Sequence, residues 1–286
     1  MRDDILGTRV LIVAFSGWND AGDAASNAVA ALRDLLEVDP VAAVDPEDYF
    51  DYQFNRPTVR TDEDGARRIE WPGVTIFGPR DPLGDVYLML GTEPSRNWKT
   101  FAAEILETVE DREIDTVIFI GAMLADVPHT RPISVFVTSE NAELRQALDL
   151  ERSAYEGPVG ILAILADACE RAEVRTLSVW ASVPHYVHSV PSPKATLALL
   201  DKLQELADIT VPREDLEAEA AAWEDNIDTL AGEDDEMASY IAQLEQARDT
   251  VDSPEASGEA IAEEFEKYLR HRGDGGRADG RGGNGP

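Results

Sequence analysis

Residues 9–36 read RVLIVAFSGWNDAGDAASNAVAALRDLL, and this stretch predicts how the chain folds. Val10 to Phe15 are apolar without interruption, a pattern typical of a central parallel strand that is covered on both faces. From about Asp23 onwards, apolar residues recur at helical spacing as far as Leu36. Ser16 to Gly22 would then form a tight turn with free backbone N–H groups, where α/β proteins often bind ligands.

The turn itself offers Trp18, Asn19 and Asp20 as candidate site residues. It matches neither GxGxxG nor GxxxxGK[ST], and its carboxylates would compete with a phosphate for the same N–H groups. We therefore favour Asp20 and Asp23 as helix caps and turn formers over ligand-binding groups. Trp18 either covers the edge of the sheet or projects towards a partner.

Strand and helix patterns alternate up to about residue 210. They predict an α/β domain with a mixed, mainly parallel sheet and helices on both faces, into which Arg56 to Trp71 insert an antiparallel hairpin. After Pro212 only helical patterns occur, and Gly232 is expected to divide them. We predict an α/β domain over residues 1–210, an acidic helical extension over 211–272 and a disordered Gly-rich tail over 273–286. The extension would end in a short helix over residues 259–270.

Composition excludes several classes of partner. Among 286 residues, 57 are acidic and 25 are basic, and the net charge of −32 argues against a nucleic-acid or anionic-membrane surface. No segment approaches the roughly 18 consecutive apolar residues of a membrane span. The first ten residues lack the pattern of a signal peptide, so we expect a cytoplasmic protein.

Cys169 is the only cysteine and lies in an apolar helical pattern, which predicts a buried structural thiol.

Three further loops follow or connect predicted strands and carry polar residues. Because polar groups at strand ends are where an α/β protein places a site, these loops could line the same crevice as the first turn. Their candidate site residues are Glu93 in the loop 91–99, Asp126, His129 and Arg131 in the loop 126–132, and Ser182, His185 and Lys194 in or just after the loop 182–186.

The loops allow two interpretations. An enzyme would use Asp126 with His129, or Ser182 with His185, as acid, base or nucleophile. Against this, Ser182 lacks the GxSxG elbow, and four scattered histidines and one cysteine have no metal-ligand spacing. In the second interpretation the Pro-His dipeptides build rigid turns, and the basic side chains are ion-paired. We favour the second interpretation and expect no catalytic residue, no metal and no cofactor.

Several of these motifs, taken in order, resemble the bacterial branch of the proteasome assembly chaperone 2 family, and the C-terminal helices resemble the extension of its actinobacterial-type members. The matching stretches are FSGWNDAGDAA at 15–25, GTEPS at 91–95 with Trp98, GA at 121–122, DVPHTRP at 126–132, WASVPHY at 180–186 and PSPKAT at 191–196. The resemblance covers about residues 5–207.

The resemblance implies a phosphorylase/hydrolase-like α/β fold and a tendency to self-assemble. Eukaryotic relatives escort proteasome α-subunits as heterodimers, and some archaeal relatives engage the core particle through a C-terminal hydrophobic-Tyr-X tail. Gly283 to Pro286 do not match that tail, so tail-mediated docking is not expected. The family offers no established catalytic residue that could be carried over to this chain.

We therefore expect a non-catalytic, assembly-chaperone-like protein that binds another protein, with a proteasome subunit or precursor as the first partner to test. A homo-oligomer is also expected, with a trimer as its expected form. Trp223, Ile227, Leu230 and Tyr240 in an acidic segment need apolar cover, either from the main domain or from a neighbouring subunit. The alternative is a small-molecule hydrolase or phosphorylase that acts on a nucleoside-like substrate in the strand-end crevice. Neither nucleic acid nor a membrane is an expected partner.

Overall fold

The structure is a computed structural model that describes residues 5–62, 64–81 and 84–251, except for the side chains of residues 214 and 251. The strands are β1 (Val10–Ser16), β2 (Val38–Ala43), β3 (Thr58–Thr61), β4 (Arg67–Glu70), β5 (Val74–Pro79), β6 (Val86–Thr92), β7 (Thr116–Ala125), β8 (Val135–Thr138) and β9 (Arg175–Pro184). The α-helices are α1 (Ala24–Leu35), α2 (Pro46–Tyr49), α3 (Trp98–Asp111), α4 (Ala142–Leu148), α5 (Ile161–Arg171), α6 (Pro193–Ala207), α7 (Glu214–Gly232) and α8 (Asp235–Val251).

Seven strands form one sheet in the order β2-β5-β6-β1-β7-β9-β8. The four central strands β6, β1, β7 and β9 are parallel, whereas β5 and β8 run antiparallel to their inner neighbours. Val10 to Phe15 are all buried, as expected of a strand covered on both faces. The predicted mixed, mainly parallel sheet with helices on both faces is confirmed.

Alternate residues of β1 enter two separate cores, because successive side chains of a strand point to opposite faces. On one face Ile12 packs with buried residues of α1 and α6. On the other face Val13 and Phe15 pack with buried residues of α3 and α5. The centre of the sheet is therefore dry, and its carboxyl edge is left for the polar loops.

Two boundaries differ from the sequence patterns. Gly121 reads as the end of a strand, yet β7 continues to Ala125 and pairs with β9 along its whole length. Gly121 is needed inside the strand because a Cβ there would lie 2.7 Å from the ring of Trp180. The helical pattern around Cys169 predicts a helix that starts at Gly157. Helix α5 instead begins at Ile161, because Gly160 has an extended backbone at the N-cap position.

The predicted hairpin is present as β3 and β4, which form a separate two-stranded sheet. Near the end of the described residues, Gly232 ends α7, and α8 begins at Asp235. The two helices are therefore separated at Gly232, as expected. The chain divides into two compact units, residues 1–230 and 231–286. Trp223 and Ile227 of α7 belong to the first unit and are buried. The short helix predicted over 259–270 and the tail predicted over 273–286 lie outside the described residues.

Among the described residues, no helix combines the length and the apolar character that crossing a membrane requires.

Candidate functional site

Asp20 caps the helix that follows the first strand. Its Oδ1 accepts hydrogen bonds from the backbone N–H groups of Ala25 (2.7 Å) and Ser26 (3.1 Å) in the first turn of α1. Burial raises the pKa of the Asp20 carboxyl, and the hydrogen bonds from Ser26 and Ala25 oppose that rise. Oδ2 is buried and has no hydrogen-bond partner among the described residues. Asp23, the other expected cap, makes no side-chain bond to α1.

Asn19 and Glu93 connect the ends of three elements. Nδ2 of the buried Asn19 donates to Glu93 Oε1 (3.1 Å), and the same oxygen accepts from the backbone N–H of Ile161 (2.9 Å) at the start of α5. Gly160 lies against the amide of Asn19, because a Cβ there would be 2.4 Å from Nδ2. A carboxylate at a helix N-terminus is stabilised by the free N–H groups and the helix dipole. Glu93 therefore has a structural function at the carboxyl edge of the sheet.

Several exposed apolar side chains occur in the segments that meet at this polar centre. The carbonyl of Asn19 accepts from the backbone N–H of Ala122 (2.8 Å), which places the first turn beside the end of β7. Close to these residues in the sequence, four large apolar side chains are exposed. They are Trp18 (63% exposed), Met123 (40%), Leu124 (48%) and Val159 (43%), and we call them the carboxyl-edge surface. Exposed apolar surface of this kind is typical of protein-binding sites.

His129 is completely buried and joins the loop after β7 to α7. Its backbone N–H donates to the Tyr186 hydroxyl (2.7 Å), its Nδ1 lies 2.9 Å from that hydroxyl, and its Nε2 lies 3.0 Å from Asp228 Oδ1. A proton on Nε2 satisfies every bond, since the ring then donates to Asp228 and accepts at Nδ1 from Tyr186. The ring also contacts Trp223 edge to face, with centroids 6.3 Å apart.

Lys194 makes a second connection to the same helix. Its Nζ donates to the carbonyl oxygen of His129 and to Glu224 Oε2, each at 2.5 Å. The Lys194 side chain is mostly buried, so the expected ion pairing of this lysine is observed and its partner is on α7. His129 and Lys194 thus hold α7 against the α/β body.

Of the remaining candidates, His185 lies beside the His129 contacts, because its ring is edge to face with that of Tyr186 at 5.7 Å between centroids. His185 Nδ1 lies 3.2 Å from Asp126 Oδ1, and the Asp126 side chain is 81% exposed. Ser182 is buried in β9, where its backbone N–H donates to the carbonyl of Ser134. Arg131 donates to the hydroxyl of Thr130 at 3.4 Å. The structure therefore pairs His129 with Asp228, and His185 with Asp126. The enzyme interpretation instead combines Asp126 with His129.

The candidate residues form separate groups at the carboxyl side of the sheet. Asn19, Asp20 and Glu93 position two helix N-termini, and His129 and Lys194 anchor α7. Sequence reasoning missed the partners of the second group, Tyr186, Glu224 and Asp228, because no motif spacing connects residues so far apart. Within the part of the chain that the structure describes, no three His, Cys, Asp or Glu side chains are arranged to hold a metal ion.

Known proteins similar to this chain form a consistent set. The model of the PAC2 family matches residues 14–231. A PAC2 family protein from Streptomyces avermitilis is 45% identical with a TM-score of 0.74, over 81% of this chain and 99% of that one. A proteasome-assembly chaperone homologue from Mycobacterium tuberculosis is 44% identical over the same shares, with a TM-score of 0.71.

A third solved structure has low sequence identity to this chain, and its similarity shows only that the two proteins share a fold. It is an archaeal homologue of proteasome-assembly chaperone from Pyrococcus furiosus, 18% identical over 84% of this chain and 95% of that one, with a TM-score of 0.58. Curated proteins gave no match to the chain.

Proposed function

Because the chain belongs to the PAC2 family, we propose that it is a non-catalytic, assembly-chaperone-like protein whose partners are proteasome subunits or their precursors. The Mycobacterium tuberculosis relative is named a proteasome-assembly chaperone homologue, and its similarity extends over most of this chain. The expected resemblance to the proteasome assembly chaperone 2 family is thereby confirmed. In this proposal the protein acts in the cytoplasm.

The observation that carries the proposal is how the carboxyl edge of the sheet is used. Asp20 and Glu93, two of the groups that could serve as acid or base there, accept hydrogen bonds from backbone N–H groups at helix starts. Apart from the His185–Asp126 pair, large side chains exposed at this edge are apolar, with Trp18 the most prominent. An enzyme site needs charged groups aimed at a substrate, whereas a chaperone needs an exposed apolar surface. The carboxyl-edge surface is of the kind that a chaperone needs, because it is exposed and apolar.

The net charge of the chain indicates which kind of partner surface it attracts. The chain carries a net charge of −32, so its long-range field attracts a basic surface and repels an acidic one. We infer that the partner offers apolar side chains to Trp18 and Met123 inside a basic rim. Such association is fast at low salt and slows as salt screens the charges.

Self-association is part of the same proposal. We propose a homo-oligomer, with a trimer as its expected form, in which an α/β domain ends near residue 210 and an acidic extension follows over residues 211–272. Leu230 of α7 is 60% exposed, as an apolar residue at a subunit contact would be in an isolated chain. Trp223 and Ile227, in contrast, are already buried.

The test mixes the full chain with purified proteasome α- and β-subunits from its own organism. Binding is measured by titration with labelled α-subunit, and assembly is followed by native gel electrophoresis over time. We expect binding to α-subunits or an assembly intermediate, and a faster appearance of the core particle. Trp18→Ala should weaken binding by about thirtyfold, the effect of removing a central aromatic contact.

Phe136→Ala is the matched control, because Phe136 is also a large exposed aromatic residue (51%) but lies on the edge strand β8. It should bind as the unchanged chain does. Equal weakening by both variants, or no binding to any proteasome subunit, would overturn the proposal. Turnover of a nucleoside or an ester that His129→Ala or His185→Ala abolishes would instead support the hydrolase or phosphorylase alternative.

A further inference from the structure

The β3–β4 hairpin is exposed on both sides, although it carries apolar residues. All eight strand residues are exposed, and Val59 (53%) lies directly opposite Ile69 (59%). A two-stranded hairpin by itself is only marginally stable in water, and a cross-strand apolar pair gains most of its energy when something covers it. The hairpin therefore presents an apolar pair that the described residues leave uncovered.

The two faces of the hairpin differ in their charges. Strand alternation places Arg60 and Arg68 on one face, where they form ion pairs with Glu70 (2.6 Å) and Asp62 (2.8 Å). The other face carries Val59, Ile69, Thr61 and Arg67, and we call it the hairpin face. Among residues 5–62, 64–81 and 84–251, no ion-pair partner is found for Arg67. In a chain with a net charge of −32, an exposed arginine beside an apolar pair is complementary to an acidic partner surface.

Helix α7 has a complementary surface on its outward side. It contains seven acidic residues and no Lys or Arg. Leu216, Ala220, Trp223 and Ile227 form its inward face, at spacings of three and four residues. The opposite side is exposed and combines small apolar residues with an acid. Its members are Ala218, Ala221, Ala222 and Asp225.

We propose that the hairpin face of one copy packs on the outward side of α7 of a second copy, with Arg67 paired to Asp225. The proposal rests on the homo-oligomer proposed above and assigns its contact surfaces. Val59 and Ile69 then lie over Ala218 and Ala221, whose small side chains let a strand pair approach the helix. The pairing brings Arg67 to the acidic helix, so this local attraction opposes the overall repulsion between two copies.

The proposed contact joins two different surfaces, and each copy carries one of each. Such a head-to-tail contact generates a closed ring when the rotation between copies closes. The same contact therefore accounts for an odd-numbered ring such as a trimer, which a contact between identical patches does not. The residues that anchor α7 to its own body, His129 and Lys194, also hold the proposed docking helix in place.

Charge exchange tests this contact better than added salt does. Salt would screen the attraction between Arg67 and Asp225, but it would also screen the repulsion between copies that each carry −32. The measurement is the molar mass of the full chain by sedimentation equilibrium over a range of micromolar concentrations, against 31.3 kDa for one copy. Circular dichroism checks that each variant is folded.

Arg67→Glu and Asp225→Arg should each raise the dissociation constant by about tenfold or more, since each puts like charges together. The double variant Arg67→Glu/Asp225→Arg should recover most of the loss. Arg60→Glu is the matched control, because it makes the same charge change on the opposite face of the hairpin, and it should leave the molar mass unchanged.

The outcomes separate the two proposals. A chain that is monomeric at every concentration overturns both the homo-oligomer and this contact. An oligomer that neither single variant weakens, or one that the double variant fails to restore, overturns this contact and leaves the homo-oligomer standing. Equal weakening by Arg60→Glu and Arg67→Glu also overturns it, because the effect would then not depend on the face.

Discussion

His129 Nε2 lies 3.0 Å from Asp228 Oδ1, a residue 99 positions later in the chain. The imidazole is completely buried, whereas the Asp228 side chain is 57% exposed. Together with Lys194 and Glu224, this contact ties α7 to the loop after β7. A histidine that the sequence offers as an acid or base is thus a structural connector.

His129→Ala should destabilise the fold by about 2–4 kcal/mol, because it leaves a cavity and removes the ring nitrogen that accepts from the Tyr186 hydroxyl. Asp228→Asn keeps an acceptor oxygen at an exposed position and should cost under about 1 kcal/mol. Urea unfolding measures both. Proteolysis within α7 should become faster in His129→Ala. Equal costs for the two variants would contradict this account of the connection.

Gly160→Ala should cost about 1–3 kcal/mol, because the added Cβ would lie 2.4 Å from Nδ2 of Asn19 and push that amide away from Glu93. Gly73→Ala is the control, since a Cβ there meets nothing within 4 Å. It should be neutral or slightly stabilising. Thermal unfolding of the two variants provides the comparison, and a Gly160→Ala protein as stable as Gly73→Ala would contradict the close packing at Asn19.

Cys169 should react with a thiol reagent only when the chain unfolds. Burial, together with the charge of Glu170, raises the pKa of this thiol to about 12 from its ordinary value of 9.0. The folded state keeps the proton that the unfolded state loses, so this group costs stability progressively as pH rises from 9 towards 12.

The measurement for Cys169 compares urea unfolding midpoints at pH 7.5 and pH 10. The unchanged chain should lose more stability over this interval than Cys169→Ala does. Burial and Glu104 also raise the pKa of Tyr49 to about 12, but that contribution is common to both proteins and cancels in the difference. Rapid labelling of the folded chain at pH 8 would show that the thiol is accessible.

The sequence by itself determined the architecture. Six consecutive apolar residues from Val10 identify a central strand, and helical spacing after Asp23 identifies the helix that covers it, since both patterns follow from local backbone geometry and burial. The same reasoning found the self-paired hairpin and the break at Gly232. It also found the polar loops and the capping function of Asp20, because a cap acts within a few residues of its own position.

Only the tertiary structure decided which loop residues meet. The loop patterns allow Asp126 to pair with His129, yet the fold brings Asp228 to His129 and His185 to Asp126. Glu93 reaches the start of α5 for the same reason. Such contacts depend on where the strand order and the helix packing bring distant segments. The spacing of residues along the chain does not show which of those segments will meet.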